Sequence, residues 1–580
     1  MSRTTIVAVL VLFLATTSQP FAQQPKPNDF VPVTDEILRN PSPNDWLMFS
    51  RTYDAQRFSP LTQINKQNVG QLRLAWTKEM ASGGSQESIP LVYRGVIYAF
   101  SPAATIQALD GANGNLIWEY KRAGSSKTKG LAIYEDMVYF TTPDGALVAL
   151  DARDGKVRWE TKIGEAAGTS GPIVVEGKVI TGRACARTRE SCFIAAHDAR
   201  TGKEIWKFHT IPAKGEPGSE SWGPDGPADN MMASTWGMMG SYDPARKLIY
   251  WGIANPMPNT RMARHAGNAE AISKTAPADL YTNSTVALDP NTGKLAWYFQ
   301  HLPGDDWDQD YTNERVLLRA AVNPDPKSVK WINPDVPRNQ QRNISMNVGE
   351  GGGLFALDRD TGQFLWATPF PYDTPEFLIS NIDGKTGKTS INWDVVLKKP
   401  GEHHVICSYN TKSYWPMSYH PGKNSLYIPY VDNCLDMTAA APAADGKPAA
   451  GERRTGVPRP GSDPEKFGGL AKVNVTTGEI QRIYEGRVPG VAATLATAGD
   501  VVFWGDLNRK FRAFDADSGK ILWETTLGGP VSNSTITYSV NGKQYVAVLV
   551  GNGGLMAGLL REAGVEATPF TNGIYVFALP

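Results

Sequence analysis

One pattern recurs six times along the chain and limits its fold more than any other feature. It reads Ala-x-Asp-x-x-x-Gly-x-x-x-Trp, at Ala108 to Trp118, Ala149 to Trp159, Ala196 to Trp206, Ala287 to Trp297, Ala356 to Trp366 and Ala513 to Trp523. A worn copy runs from Ala471 to Arg482, with Asn474 for the Asp and no Trp. Trp76 ends another whose first half is missing. In each unit a strand ends at the Ala, Asp and Gly turn the chain, and the Trp lies in the returning strand. Asp bonds its own backbone in such a turn, and Gly supplies the positive φ that a hairpin needs. The small Ala leaves room for a neighbour, and the Trp offers a broad flat surface. One such unit cannot bury both faces, so the copies must stack. Radial stacking of small antiparallel sheets is a β-propeller. The expectation is an all-β, eight-bladed β-propeller with tryptophan-docking repeats, forming one domain over residues 23–580.

Composition agrees and excludes some functions. The 56 Gly, 41 Pro and 16 Trp suit many short strands joined by turns. The 58 basic residues cancel the 58 acidic ones, which argues against a nucleic-acid surface. Arg3, the apolar run from Ile6 to Ala15 and Pro20-Phe21-Ala22 read as an export signal over residues 1–22, cleaved after Ala22. The mature chain is then expected to be periplasmic or secreted, without a membrane span. Cysteines stand at 185, 192, 407 and 434, and pairing by shortest loops joins Cys185 to Cys192 and Cys407 to Cys434. No Cys-x-x-Cys-His occurs, so no covalent haem of the usual c type is expected.

Spacing separates scaffold from additions. Trp118, Trp159 and Trp206 follow one another at about the length of one four-stranded blade, whereas Trp206 to Trp297 is about twice as long. Inserted loops are expected at about 209–285 and 367–470, the second holding a low-complexity stretch, 438–461, read as a flexible surface loop. Met231, Met232, Met238, Met239, Met257 and Met262 either line an adaptable apolar rim or simply pack.

The chemistry concentrates in Gly304-Asp305-Asp306-Trp307-Asp308-Gln309-Asp310-Tyr311. Its crowded carboxylates repel one another unless a cation or protons offset them. The run follows the strand-like Leu295-Ala296-Trp297-Tyr298-Phe299, where a rigid sheet ends. The turn Gly252-Ile253-Ala254-Asn255-Pro256 brings an amide oxygen that suits the same hard cation. This reads as a metal and catalytic carboxylate loop.

The repeat, this Trp-Asp loop, Arg57-Phe58-Ser59-Pro60-Leu61 and Tyr538-Ser539-Val540-Asn541-Gly542-Lys543 together resemble the periplasmic alcohol dehydrogenases that use pyrroloquinoline quinone (PQQ). The likeness runs from about Asn44 to Ala578. It implies an enzyme that oxidises an alcohol to the aldehyde or ketone and delivers hydride to metal-bound PQQ. Electrons would pass to an external cytochrome c. By the same resemblance Asp308 is the catalytic base, and Glu87, Lys129, Thr169 and Trp236 contact the quinone. Asn255, Asp308, Asp310 and Glu190 are the candidate metal ligands, with Arg187 at the gapless position of the last. Asp310 matches the extra carboxylate of the lanthanide-using branch, so the ion is a lanthanide(III) or Ca2+. Glu350 stands where Arg or Lys is common, and Tyr414 where Asn is common; either the alignment slips in these loops or the pocket is rebuilt for a different substrate, and a methionine rim would suit a bulky or secondary alcohol. The alternative is a non-catalytic propeller scaffold for protein–protein interaction.

Overall fold

The computed structural model describes residues 30–125, 127–440 and 452–580. The export signal read at 1–22 lies outside the described residues. Among these the chain is almost entirely β: eight antiparallel sheets of four or five strands, with two smaller sheets beside them. Helices are short, at Asp35–Arg39, Arg261–Arg264 and Met556–Glu562. No described helix is long and apolar enough to cross a membrane.

The repeat explains the sheets. In all six intact copies the Ala and the Trp are cross-strand partners, from Ala108↔Trp118 to Ala513↔Trp523. A register irregularity follows each pair, as the turn requires. The indole then reaches into the next copy's turn: Trp118 Nε1 donates to the Ala152 carbonyl at 3.0 Å and Trp159 Nε1 to that of Ala199 at 3.1 Å. The turn glycine has to be bare, since a Cβ on Gly155 would stand 2.5 Å from the Trp118 ring. In the worn copy Arg482 replaces the Trp opposite Ala471; its guanidinium lies 4.0 Å from the Tyr372 ring centroid and donates to the Pro371 carbonyl.

The half-unit ending at Trp76 is completed from the other end of the chain. Strand Arg73–Glu79 pairs with Gly573–Ala578, which pairs in turn with Lys543–Val550. Nearby, Phe58–Ser59 adds a parallel strand to Leu495–Thr497. Fully buried Arg57 fixes this crossing by donating to the carbonyls of Thr494 (2.9 Å), Phe49 (2.5 Å) and Thr535 (2.5 Å).

The two long interruptions contain structure of their own. The first holds the helix Arg261–Arg264 besides the sheet strands Ser241–Asp243 and Leu248–Gly252. The second holds the hairpin Ile379–Ile382 with Thr389–Ile391, and a three-stranded sheet of His403–Cys407, Asn433–Ala439 and Glu452–Pro458. The surface loop expected at 438–461 is corrected at its two ends, since Glu452–Pro458 is a strand paired along its whole length with Asn433–Ala439; residues 441–451 lie outside the described residues. Backbone pairing outweighs a composition that by itself signals disorder. Both expected disulfides are present, Cys185–Cys192 and Cys407–Cys434, the second joining adjacent strands of that sheet. Four of the six methionines, Met231, Met238, Met239 and Met262, are buried, so packing is their main work; Met232 and Met257 keep part of their surface.

Candidate active site

The acidic loop begins at the end of strand Leu295–Gln300, and its first two carboxylates build it. Asp305 accepts from the backbone N–H groups of Trp307 (2.5 Å) and Gln309 (2.9 Å) and from the Asn283 amide (2.8 Å). Asp306 accepts from the backbone of Arg261 (2.6 Å) and Leu397 (2.8 Å), tying both interruptions to the loop. Burial pushes Asp305 up to about 6 and Asp306 to about 7. Trp307 is fully buried and donates to the Val395 carbonyl at 2.8 Å. Gln309 folds its amide back onto the carbonyls of Trp307 and Asp308. The carboxylates of Asp308 and Asp310 take no part in these contacts and find their partners elsewhere. Asp308 has a left-handed backbone, φ +62°.

Asp308, Asp310 and Asn255 come together. The Asn255 backbone N–H donates to Asp310 at 2.8 Å, and its side-chain amide donates to Asp308 at 3.0 Å. Glu350 joins them: its carboxylate accepts from the Asp310 backbone N–H at 3.2 Å and from the Ser413 hydroxyl. Burial first, and the neighbouring acids second, raise Asp310 and Glu350 well above the usual carboxylate range. A site that raises acids this way favours either protons or a cation.

The cofactor candidates adjoin this cluster. The Trp236 indole N–H donates to Asp310, while the Trp236 carbonyl accepts from the Thr169 hydroxyl at 3.0 Å. Lys129 and Glu87 form an ion pair buried to 1% and 2% exposure. The Lys129 ammonium lies 5.2 Å from the Trp236 ring centroid and 4.6 Å from that of Tyr414. Trp236, Thr169 and Asp308 keep partial exposure amid buried neighbours. An indole face beside a hydroxyl suits a flat aromatic group with polar edges.

Glu190 is corrected. Its carboxylate is 64% exposed and pairs with Arg189 and with His209, not with the loop. Arg187 is exposed as well. The short Cys185–Cys192 ring holds both on the outside. Among the described residues no three His, Cys, Asp or Glu side chains are disposed to hold a metal; the acidic loop brings together Asp308, Asp310 and Asn255, with Glu350 beside them. The reading from sequence also missed Arg454, which reaches Asp308 from strand Glu452–Pro458. Nothing in the sequence signals a contact across 146 positions from a low-complexity stretch.

Residues 46–369 and 465–546 match the family model described as PQQ, glucose/ethanol/alcohol dehydrogenase, beta-propeller domain. The chain belongs to the PQQ-dependent alcohol dehydrogenase family. This dehydrogenase is 31% identical to quinohemoprotein alcohol dehydrogenase ADH-IIG of Pseudomonas putida, over 91% of this chain and 76% of that protein. It is also 31% identical to the dehydrogenase subunit of the quinone alcohol dehydrogenase of Gluconobacter oxydans, over 90% and 73%. Among solved structures it is similar to the Pseudomonas putida ADHIIG enzyme, with a TM-score of 0.79 and 27% identity over 95% of this chain and 83% of that one. A europium-containing methanol dehydrogenase aligns with a TM-score of 0.78 and 26% identity, over 94% of this chain and all of its own.

Proposed function

We propose that this dehydrogenase oxidises an alcohol in the recess bounded by Trp236, Thr169 and Asp308, at the centre of a closed eight-bladed propeller. The observation that carries this reading is the single hydrogen-bonded chain from Thr169 through Trp236 and Asp310 to Asn255 and Asp308. It joins residues suited to hold a quinone to residues suited to hold a hard cation. Trp236, Thr169, Lys129 and Glu87 would hold PQQ, and Asn255, Asp308 and Asp310 would give oxygen ligands to a lanthanide or calcium ion. Bound there, the quinone supplies the oxidising capacity and the ion its Lewis acidity.

The chain's own part is positioning and proton transfer. Asp308, whose carboxylate is 32% exposed, would take the hydroxyl proton of the substrate. The indole of Trp236 sets the plane of the pocket floor, and its bond to Asp310 fixes that plane relative to the base. The two inserted regions meet at the acidic loop through Asp306, and the proposed substrate is an alcohol bulkier than methanol or a secondary one. Export to the periplasm and delivery of electrons to a separate cytochrome c complete the proposal.

The test is dye-linked oxidation of primary, secondary and bulky alcohols by purified protein, with PQQ added alone, with Ca2+ or with a light lanthanide. Turnover should require PQQ and one of the ions. Asp308→Asn should lower it by about 10²–10⁴-fold while leaving the melting temperature nearly unchanged. Full turnover by that variant, or none by the wild type under any condition, would refute the assignment.

A further inference from the structure

Arg454 enters the site from outside the repeat. It lies on strand Glu452–Pro458, and its guanidinium donates to Asp308 Oδ2. The other Asp308 oxygen, Oδ1, already accepts from the Asn255 amide at 3.0 Å, so both carboxylate oxygens are engaged. The guanidinium is anchored from behind, with Arg454 Nε 3.4 Å from Glu452 Oε1. The same Glu452 oxygen accepts from Asn259 at 2.9 Å, and Asn259 accepts from Asn255 at 3.0 Å. Asn255, Asn259, Glu452, Arg454 and Asp308 thus form a closed ring of polar contacts. Two of its members, Asn255 and Asp308, are the candidate ligands of the ion.

We propose that Arg454 is a tethered counter-ion of Asp308 that competes with the metal ion and thereby sets the metal affinity of the site. This rests on the reading of Asn255, Asp308 and Asp310 as a metal site. A guanidinium and a multivalent cation repel one another at the few ångströms that a shared carboxylate imposes. Arg also suits the role because its planar fork stays charged at any working pH. When an ion takes Asp308, Arg454 gives up that contact and keeps Glu452, its anchor. The coupling is reciprocal, so whatever the ion loses to Arg454, strand Glu452–Pro458 loses to the ion.

The experiment titrates metal-free protein with Tb3+, followed by tryptophan-sensitised luminescence, and with Ca2+ by calorimetry. Wild type, Arg454→Gln and Arg454→Lys are compared, with thermal melts confirming that each is folded. Arg454→Gln should bind both ions about tenfold more tightly. Arg454→Lys, which keeps the charge, should stay near wild type. Hydrogen exchange is the second reading: Tb3+ should speed exchange of residues 452–458 in the wild type, and exchange there should already be fast in Arg454→Gln. Equal affinity in wild type and Arg454→Gln, or weaker binding by Arg454→Gln, would overturn the competition and leave the metal site standing. No binding of either ion by any of the three proteins would remove the metal site itself, and the competition with it.

Discussion

His197 occupies the position that Leu109, Leu150, Leu288 and Leu357 hold in other copies of the repeat. It is 1% exposed, and its Nδ1 has no hydrogen-bond partner. Burial lowers its pKa from 6.5 to about 4, so the folded protein keeps it neutral where an unfolded chain would protonate it. The unfolded state binds the extra proton as pH falls through 6.5, and stability is lost from there down to about 4. The total from this one group is about 3 kcal/mol. His197→Leu should flatten the decline of melting temperature between those pH values, measured beside the wild type in matched buffers. Arg57 is a contrasting case, because its buried guanidinium answers three carbonyls from separate parts of the chain. Arg57→Leu leaves all three without a donor and should cost about 3–5 kcal/mol in denaturant unfolding. The motif around Arg57 was visible in the sequence; the identity of its three partners was not, since a guanidinium can meet any nearby carbonyl.

The hairpin of the repeat carries its information in two residues that do different work. Gly155 has φ +73°, and a Cβ there would strike the Trp118 ring. Gly542 has φ +78°, and a Cβ added there would have nothing within 4 Å. Gly542→Ala therefore meets backbone strain alone, about 1–2 kcal/mol. Gly155→Ala adds overpacking to that strain, a further 1–3 kcal/mol or so. Equal thermal shifts in the two variants would show that the indole yields freely, against the packing argument. The acidic loop has the same division of labour. Its four aspartates look alike in sequence, yet Asp305 and Asp306 hold the loop and its neighbours through backbone N–H groups, while Asp308 and Asp310 meet at Asn255. Which aspartate turns inward depends on loop conformation, and composition says nothing about that.

Segments far apart in the sequence meet in one sheet, where Gly573–Ala578 lies between Arg73–Glu79 and Lys543–Val550. A protein ending at Asn572 loses both ladders at once and exposes two strand edges. It should fail to give a cooperative melt and should accumulate as aggregate, judged by calorimetry and size-exclusion chromatography against the full chain. The interruptions are held in two ways. The first carries Ser241–Asp243 and Leu248–Gly252 and the second Ser418–His420 and Ser425–Val431 as strands of main sheets, whereas other parts of them reach the body at the site, through Asp306, Trp307 and the Arg454 ring. Changes there are expected to show first in metal affinity and turnover, and only later in melting temperature.

By itself the sequence determined the repeated hairpin, the all-β body, the two disulfides and the loop where carboxylates gather. Each of these is written in short-range patterns: a turn needs its Asp and Gly within a few positions, and an indole needs its Ala directly across the hairpin. Tertiary structure alone decided the rest. It supplied the missing half of the Trp76 unit from residues near position 576, turned Glu190 outward, drew Glu350 into the cluster and set Arg454 on Asp308. The physical reason is common to all four. A charged side chain or a strand edge gains its partner through proximity in space, and nothing in the local chain encodes which distant residue the packing of sheets will bring within reach.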